Sequence, residues 1–459
     1  MRRAWRVIRG LRGTASAAGA ARARGTASAA GSTVTARTAA GLLSLAVTAA
    51  AVTGCASASG QQVPSTNGLG PITFAIGSDD IGWLKPVIAS WNKANPAQHV
   101  TPFYLPEASN VQLDQLVANL QAKSSVYDVI DMDVVWTAEF ASNGWIIPLP
   151  ASKFGNLQGF WPAAVTTAKY QGRLYAVPDY TNADLLYYRK DILAKAHISK
   201  APTTWKQLAY LASTVAPRYH LKGYAGTFAQ YEGLTVNFAE AVQSAGGSIL
   251  NKAGTQVTLN TPQATAGLTY LVNGFEQGWI PQEALKYEEV SEQDAFENGQ
   301  FLFLNDWPDV WATLGQDPSK KYGIAPLPGL KGPGSSSLGG ANLAISAYSQ
   351  HQQTALRFIQ YLTEPAQQRT MLELGSFPPV LKQLYVNDNA NRSLIARFPY
   401  LPTLEEAIQD AQPRPAITNY DQASLVISSE VYQALEQNKS PQQALADMQN
   451  QLTQIIHDG

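Results

Sequence analysis

The chain of 459 residues has a single cysteine, Cys55, which rules out an internal disulfide and leaves no cysteine pair for zinc. Its five histidines, His99, His197, His220, His351 and His457, are dispersed, and no His-x-x-x-His pair is present. No Gly-x-Ser-x-Gly elbow occurs, so a serine hydrolase of that type lacks its nucleophile signature. No glycine-rich stretch ends in Gly-Lys-Ser or Gly-Lys-Thr, so the amides and lysine that cradle a nucleotide's phosphates are missing. The first 54 residues hold neither an acid nor a lysine, but they contain eight arginines. With those eight set aside, the 33 basic residues fall to 25 against 34 acids. That acidic balance disfavours nucleic acid as a partner.

After the arginines comes the apolar run Ala39 to Val52, short for a membrane span, which ends in Val52-Thr53-Gly54-Cys55. A basic segment, a short apolar segment and small residues before a cut site describe an export signal. The last four residues resemble the lipobox of bacterial lipoproteins. The resemblance implies that residues 1–54 are removed and that Cys55 becomes a diacylated N-terminus on the outer face of the cell membrane. Residues 55–70, rich in Ser, Gly, Gln and Asn, read as a flexible tether. A signal beginning near Val34 would suffice, so residues 1–33 read as a misassigned start, which sequencing the precursor's N-terminus would test.

Hydrophobic residues make up 45% of the chain and charged residues 15%, enough to bury a large core in two or more domains. Strand-like and helical segments alternate, which predicts α/β architecture with sheets flanked by helices. Pro71–Ile76, Val100–Leu105 and the stretch Tyr127–Trp136 read as strands, the last presenting Asp131 and Asp133 at its end. Trp83–Trp91 reads as a helix, and so does Val111–Leu120, with Leu113, Leu116, Val117 and Leu120 on one face. Thr204 and Ser440 sit where helix caps are expected. Gly329–Gly340, "GLKGPGSSSLGG", reads as a surface loop.

The aromatics sit beside acids and amides in "MDVVW", "YTNADLLYY", "YEEV" and "NDWPDVW". That mixture suits a neutral, hydroxyl-rich ligand, because carboxylates and amides take hydroxyl hydrogen bonds while an aromatic face covers the C–H side of a sugar ring. For any one of these tryptophans core packing is the stronger explanation, so the reading rests on the set.

The stretches "RLYAVPDYTNADLLYYRKDIL", "YEGLTVNFAEAVQSAGGSIL", "AFENGQFLFLNDWPDVW", "YGIAPLPG", "LGGANLAIS" and "RPAITNYDQASLVISSEVYQALEQNKSPQQALADMQ" resemble the extracellular sugar-binding proteins of ABC importers. The resemblance runs over residues 71–456 and is greatest to the trehalose/maltose-binding branch. It implies a two-lobed periplasmic-binding-protein fold of type II. Lobe one would comprise residues 71–178 and 323–375, and lobe two residues 179–322 and 376–459. It implies ligand contacts at Asp80, Asp133, Tyr180, Asn182, Trp307, Gly340 and Arg414, and at Glu288 or Glu289. The acids would accept from paired hydroxyls, Asn182 would donate and accept, Arg414 would fork to two oxygens and Trp307 would stack. Four of these residues also have structural readings: Asp133 as a helix cap, Arg414 in an ion pair, Tyr180 as hinge packing and Gly340 as turn geometry. Two positions depart from the family. Ala341 stands where "LGGW" would place a tryptophan, and Gln112 where an arginine is usual, and both weaken the case for trehalose itself.

What the resemblance implies for function is capture and delivery, with no catalysis and no cofactor. The partners would be a carbohydrate such as an α-glucoside, the transmembrane subunits of a permease, and the membrane through the lipid, with the protein itself a monomer. Two alternatives stay open: a receptor of the same fold for another sugar or a non-sugar solute, and a secreted glycoside hydrolase using two of Asp133, Glu288 and Asp80.

Overall fold

The computed structural model describes residues 68–106, 108–315 and 317–458, so Cys55 and the expected signal lie outside the described residues. In chain order the strands are β1 (Ile72–Gly77), β2 (Val100–Leu105), β3 (Val129–Asp133), β4 (Lys169–Tyr170), β5 (Arg173–Leu174), β6 (Ala176–Ala183), β7 (Leu185–Arg189), β8 (Lys222–Ala225), β9 (Phe301–Asp306), β10 (Tyr322–Ala325), β11 (Ser337–Ile345) and β12 (Gln412–Pro413). The longer helices are α1 (Ile81–Ala94), α2 (Ser109–Gln121), α3 (Trp205–Thr214), α4 (Glu232–Ser244), α5 (Pro262–Glu276), α6 (Glu289–Glu297), α7 (Gln352–Leu362), α8 (Pro365–Gly375), α9 (Leu401–Asp410), α10 (Tyr420–Leu435) and α11 (Pro441–Asp458).

Two sheets organise these elements. The first runs β12-β11-β3-β1-β2, with β6 also paired to β11, and the second runs β10-β7-β9-β8. β1 lies parallel to β2 and β3, as expected for strands joined by α1 and α2, whereas β11 is antiparallel to both β3 and β6. The apolar character of β1 and β3 fits strands covered on both faces. In α2 the buried residues are Leu113, Leu116 and Leu120, one face of a helix at the spacing that the sequence predicts. Thr204 caps α3 in a full capping box with Gln207, which fixes where that helix starts.

Packing follows the two sheets. One cluster gathers Phe74, Ile130, Met132, Leu343 and Phe358 around the first sheet and reaches the near side of the second through Tyr187, Leu304 and Trp311. The other joins Phe238 of α4, Leu268 of α5, Val431 of α10 and Met448 of α11 on the far side of the second sheet. Phe358 meets both Phe74 and Trp91 edge-on at 5.4 Å, and burying such a ring contributes about 1.5–3 kcal/mol. Both clusters are built within the compact unit Gln61–Gly459, which makes those residues a self-contained folding unit.

Three segments cross from one sheet to the other. β6 runs into β7 through Asp184 alone, residues 326–336 return from β10 to β11, and residues 414–419 lead from β12 into α10. The first two are tied together where the Asp184 amide donates to the Ser336 hydroxyl at 2.6 Å.

The structure corrects one expectation. The loop predicted for Gly329–Gly340 ends early, because Ser337–Gly340 already belong to β11 and Leu338 is fully buried between Ala183 and Pro413. Composition hid this, since Ser and Gly signal a loop until tertiary pairing overrides them. The lobe boundaries expected at 178/179 and 322/323 fall inside β6 and β10. β6 stays in the first sheet to Ala183, and Gly323–Ala325 pair with β7 in the second.

Candidate functional site

Parallel strands present their following loops at one edge of a sheet, and ligands of open α/β sheets bind outside the carboxyl ends of such strands. β1 and β3 do this here, leading into Asp80 and ending in Asp133. Asp80 is buried in the turn between β1 and α1, where Oδ1 accepts from the Trp83 indole at 2.6 Å. Burial, followed by the charge of Asp80, pushes the nearby Tyr104 hydroxyl up.

Register then gathers the expected residues along three positions of β11. Ala341 stands between Asp133 of β3 and Tyr180 of β6, Gly340 faces Thr181, and Gly339 faces Asn182. A Cβ on Gly339 would fall 2.3 Å from Asn182 Oδ1 and 2.6 Å from the Trp307 ring, so only glycine lets that indole and amide approach each other over the strand. Gly340 has φ +116° and no room for a Cβ against the Tyr180 carbonyl, so glycine is required there as backbone geometry. Trp307 itself is held by its main chain: its amide donates to Asp306 Oδ1 at 2.7 Å and its carbonyl accepts from the Tyr187 hydroxyl at 2.9 Å.

At the other end of this row lies a charge network. Arg414, 3% exposed, donates from Nη2 to Asp133 Oδ1 at 2.9 Å and from Nη1 to Glu232 Oε1. Glu232 also accepts from the Tyr420 hydroxyl at 2.6 Å and from the Ser424 hydroxyl. Burial opposes the charge of Arg414, but Asp133, Tyr420 and Glu232 together hold its pKa above the ordinary value. Burial likewise raises the Glu232 carboxyl, while Arg414, Ser424 and Tyr420 pull it back.

Each sequence-derived residue can now be placed. Asp133, Tyr180, Asn182, Gly340 and Arg414 come together around β11, and Trp307 joins them at Gly339. Asp80 lies at the same edge of the first sheet. Glu288 is exposed and forms the N-cap of α6, its amide donating to the Ser291 hydroxyl at 2.9 Å. Glu289 is the first residue of α6, and burial pushes its carboxyl up to about 7. Gln112 sits in the first turn of α2. Ala341 is buried in β11. Tyr180 packs on Phe377 at 4.9 Å, and Asp133 also caps the turn after β3 through the Val135 amide at 3.1 Å.

Sequence reasoning missed Glu232, Tyr420, Asp309 and Glu240. For the two glutamates the signal was in "YEGLTVNFAEAVQ": Glu232 precedes and Glu240 lies within a helical stretch whose residues 233–243 are all buried, so both must find partners inside the protein. Glu240 accepts from Ser336 Oγ at 2.9 Å, the Ser337 amide at 3.0 Å and Asn305 Nδ2 at 2.8 Å.

The pattern of the family described as bacterial extracellular solute-binding protein matches residues 77–369. The chain belongs to that family. A Deinococcus radiodurans protein named as an ABC transporter-binding protein is 30% identical over 405 residues, 84% of this chain and 93% of that one. The solved structure of maltose-bound MalE3 from T. maritima is 30% identical, with a TM-score of 0.78 over 84% of this chain and 99% of that one. A solute-binding protein from Thermotoga lettingae, bound with α-D-tagatose, is 23% identical with a TM-score of 0.76 over 84% and 100%, a likeness of fold. This solute-binding protein therefore has the two-lobed α/β architecture of its neighbours and serves an ABC transporter from the extracellular side. Its relatives are solute-binding proteins rather than enzymes. Among the described residues no helix is long and apolar enough to cross a membrane.

Several buried acids make stability depend on pH. Burial pushes Glu289 and Asp179 up to about 7 and Asp309 to about 6, and Glu139 reaches about 7 through burial and then the charge of Asp421. In the unfolded chain these groups titrate near 4, so between about pH 4 and 7 the folded state binds more protons. The stability they contribute is full below about pH 4 and is lost as pH rises through 6 and 7. The melting temperature is expected to fall between pH 5 and pH 8, and Glu289→Gln with Asp309→Asn should flatten that fall. A melting temperature that rises over this range would contradict the burial of these carboxyls.

Proposed function

We propose that this solute-binding protein captures an α-glucoside of two or more sugar units between its lobes and passes it to the transmembrane subunits of an ABC importer. The observation that carries the reading is the cluster at β11, which puts an indole, an amide, a carboxylate and a guanidinium within one row. Trp307 offers an aromatic face, Asn182 Oδ1 has no protein partner, and Asp133 and Arg414 supply charged hydrogen bonds to hydroxyls. Asp80, Tyr180, Glu289 and Gly340 complete the proposed contacts, with Gly340 acting through its backbone. The 30% identity to a protein solved with maltose favours an α-glucoside among sugars. Closure of the lobes over the ligand, about the crossings at Asp184, 326–336 and 414–419, presents the loaded form to the permease. Lipid on Cys55 keeps the receptor beside that permease, which raises its effective concentration without new contacts.

Thermal melting of residues 61–459 tests the reading against maltose, trehalose, maltodextrins, other disaccharides, amino acids and polyamines. A ligand that binds only the folded form stabilises it by about 2.7 kcal/mol at a hundredfold excess over its dissociation constant. An α-glucoside is expected to raise the melting temperature, and Trp307→Ala and Asp133→Ala should abolish the shift. Silence from every sugar, with a shift from an amino acid or a polyamine, would overturn the sugar reading. The anchor is tested separately: Cys55→Ser in the full chain should move the protein from the membrane fraction to the medium, and retention at the membrane would overturn lipidation.

A further inference from the structure

Two glutamates of α4 hold all three crossing segments. Glu232 and Glu240 are eight residues apart, a little over two helical turns, and so lie on nearly the same side of the helix. Glu240 binds Ser336 and the Ser337 amide, and Ser336 accepts in turn from the Asp184 amide, so the first two crossings meet at one carboxylate. Glu232 binds Arg414 in the third crossing. The helix between them packs Leu234, Phe238 and Val242 into the second cluster, which makes α4 a rigid bar.

The two carboxylates on Arg414 differ in how firmly they are held. Glu232 has three donors, Arg414 Nη1 and the hydroxyls of Tyr420 and Ser424, and it is the first residue of α4, where the helix dipole favours a negative charge. Asp133 has two, Arg414 Nη2 and the Val135 amide, and both reach Oδ1. Its side chain is also more exposed, 20% against 13%. A ligand hydroxyl therefore finds an acceptor at Asp133 Oδ2, while Arg414 Nε has no protein partner.

We propose that Glu232 is a positioning residue for sugar capture: anchored on α10 and at the head of α4, it clamps the guanidinium of Arg414 so that Asp133 Oδ1 is committed to Arg414 and Oδ2 is left for the ligand. Glu232 acts through Arg414 and need not touch the sugar. The proposal rests on the sugar-receptor reading above.

Isothermal titration of maltose into residues 61–459 tests it in four forms: wild type, Glu232→Gln, Asp133→Asn and the double variant. Each single change is expected to weaken binding about tenfold or more, the loss of one charge-assisted interaction. Because Glu232 acts only by fixing how Arg414 engages Asp133, removing it after Asp133 is already changed costs little more, and the double variant should bind about as weakly as the weaker single variant. Losses that multiply would mark Glu232 as a purely structural residue and overturn the proposal, and so would an E232Q protein that binds as wild type. Wild type that ignores maltose would instead strike the sugar reading, and the capture role would fall with it. Hydrogen exchange without ligand adds an independent check: E232Q should speed exchange of the amides of residues 414–420, and unchanged protection there would overturn the clamp. Should E232Q not fold, Tyr420→Phe removes one donor to Glu232 without altering charge and should shift binding and exchange in the same directions by less.

Discussion

Arg414 cannot be buried alone: stripping a guanidinium of water costs several kcal/mol, and that cost is offset only where carboxylates and further hydrogen bonds replace the water. Asp133 and Glu232 do this, and their placement dictates much of the cleft. One carboxylate must come from the edge of the first sheet and the other from the head of α4, so the third crossing segment has to pass between them. The other two crossings are held at Glu240 on the same helix. The three crossings and the row at β11 thus meet on one helix, and under the proposed reading a ligand at the row would bear on the crossings through packed, hydrogen-bonded groups.

The remainder of the row is governed by close approach. Gly339 lets Trp307 and Asn182 meet over β11, and Gly340 turns the backbone under the Tyr180 carbonyl. A side chain at Gly340 would press on the β6 backbone, and one at Gly339 would push Asn182 and Trp307 aside. Burial also pushes the Glu289 carboxyl up to about 7 and the Asp309 carboxyl to about 6.

Much of the fold was legible in the sequence because its signals are local. The apolar runs of β1, β2 and β3, the 3.6-residue spacing of Leu113, Leu116 and Leu120, and the Thr204 capping box need no tertiary information. The start of β11 was not legible, since Ser337–Gly340 form a strand only because Ala183 and Pro413 flank them. In the candidate site, Asp133, Asn182, Trp307 and Arg414 were expected through resemblance; strand register places Asp133 and Asn182 beside β11, while close approach at Gly339 and the ion pair to Asp133 bring in Trp307 and Arg414. Glu288 and Glu289 could not be separated by sequence, because adjacent residues at a helix start differ only in which way they face: one caps α6 in solvent and the other is half-buried. Glu232 escaped notice because its role depends on Arg414, 182 residues away in the chain.

The central claim is that a sugar draws the two lobes together about the three crossings. Small-angle X-ray scattering of residues 61–459, with and without saturating maltose, tests it most directly. The account expects the radius of gyration to fall on adding maltose and to stay constant on adding an amino acid. An unchanged radius under conditions where calorimetry shows maltose bound would contradict closure as the mechanism of capture.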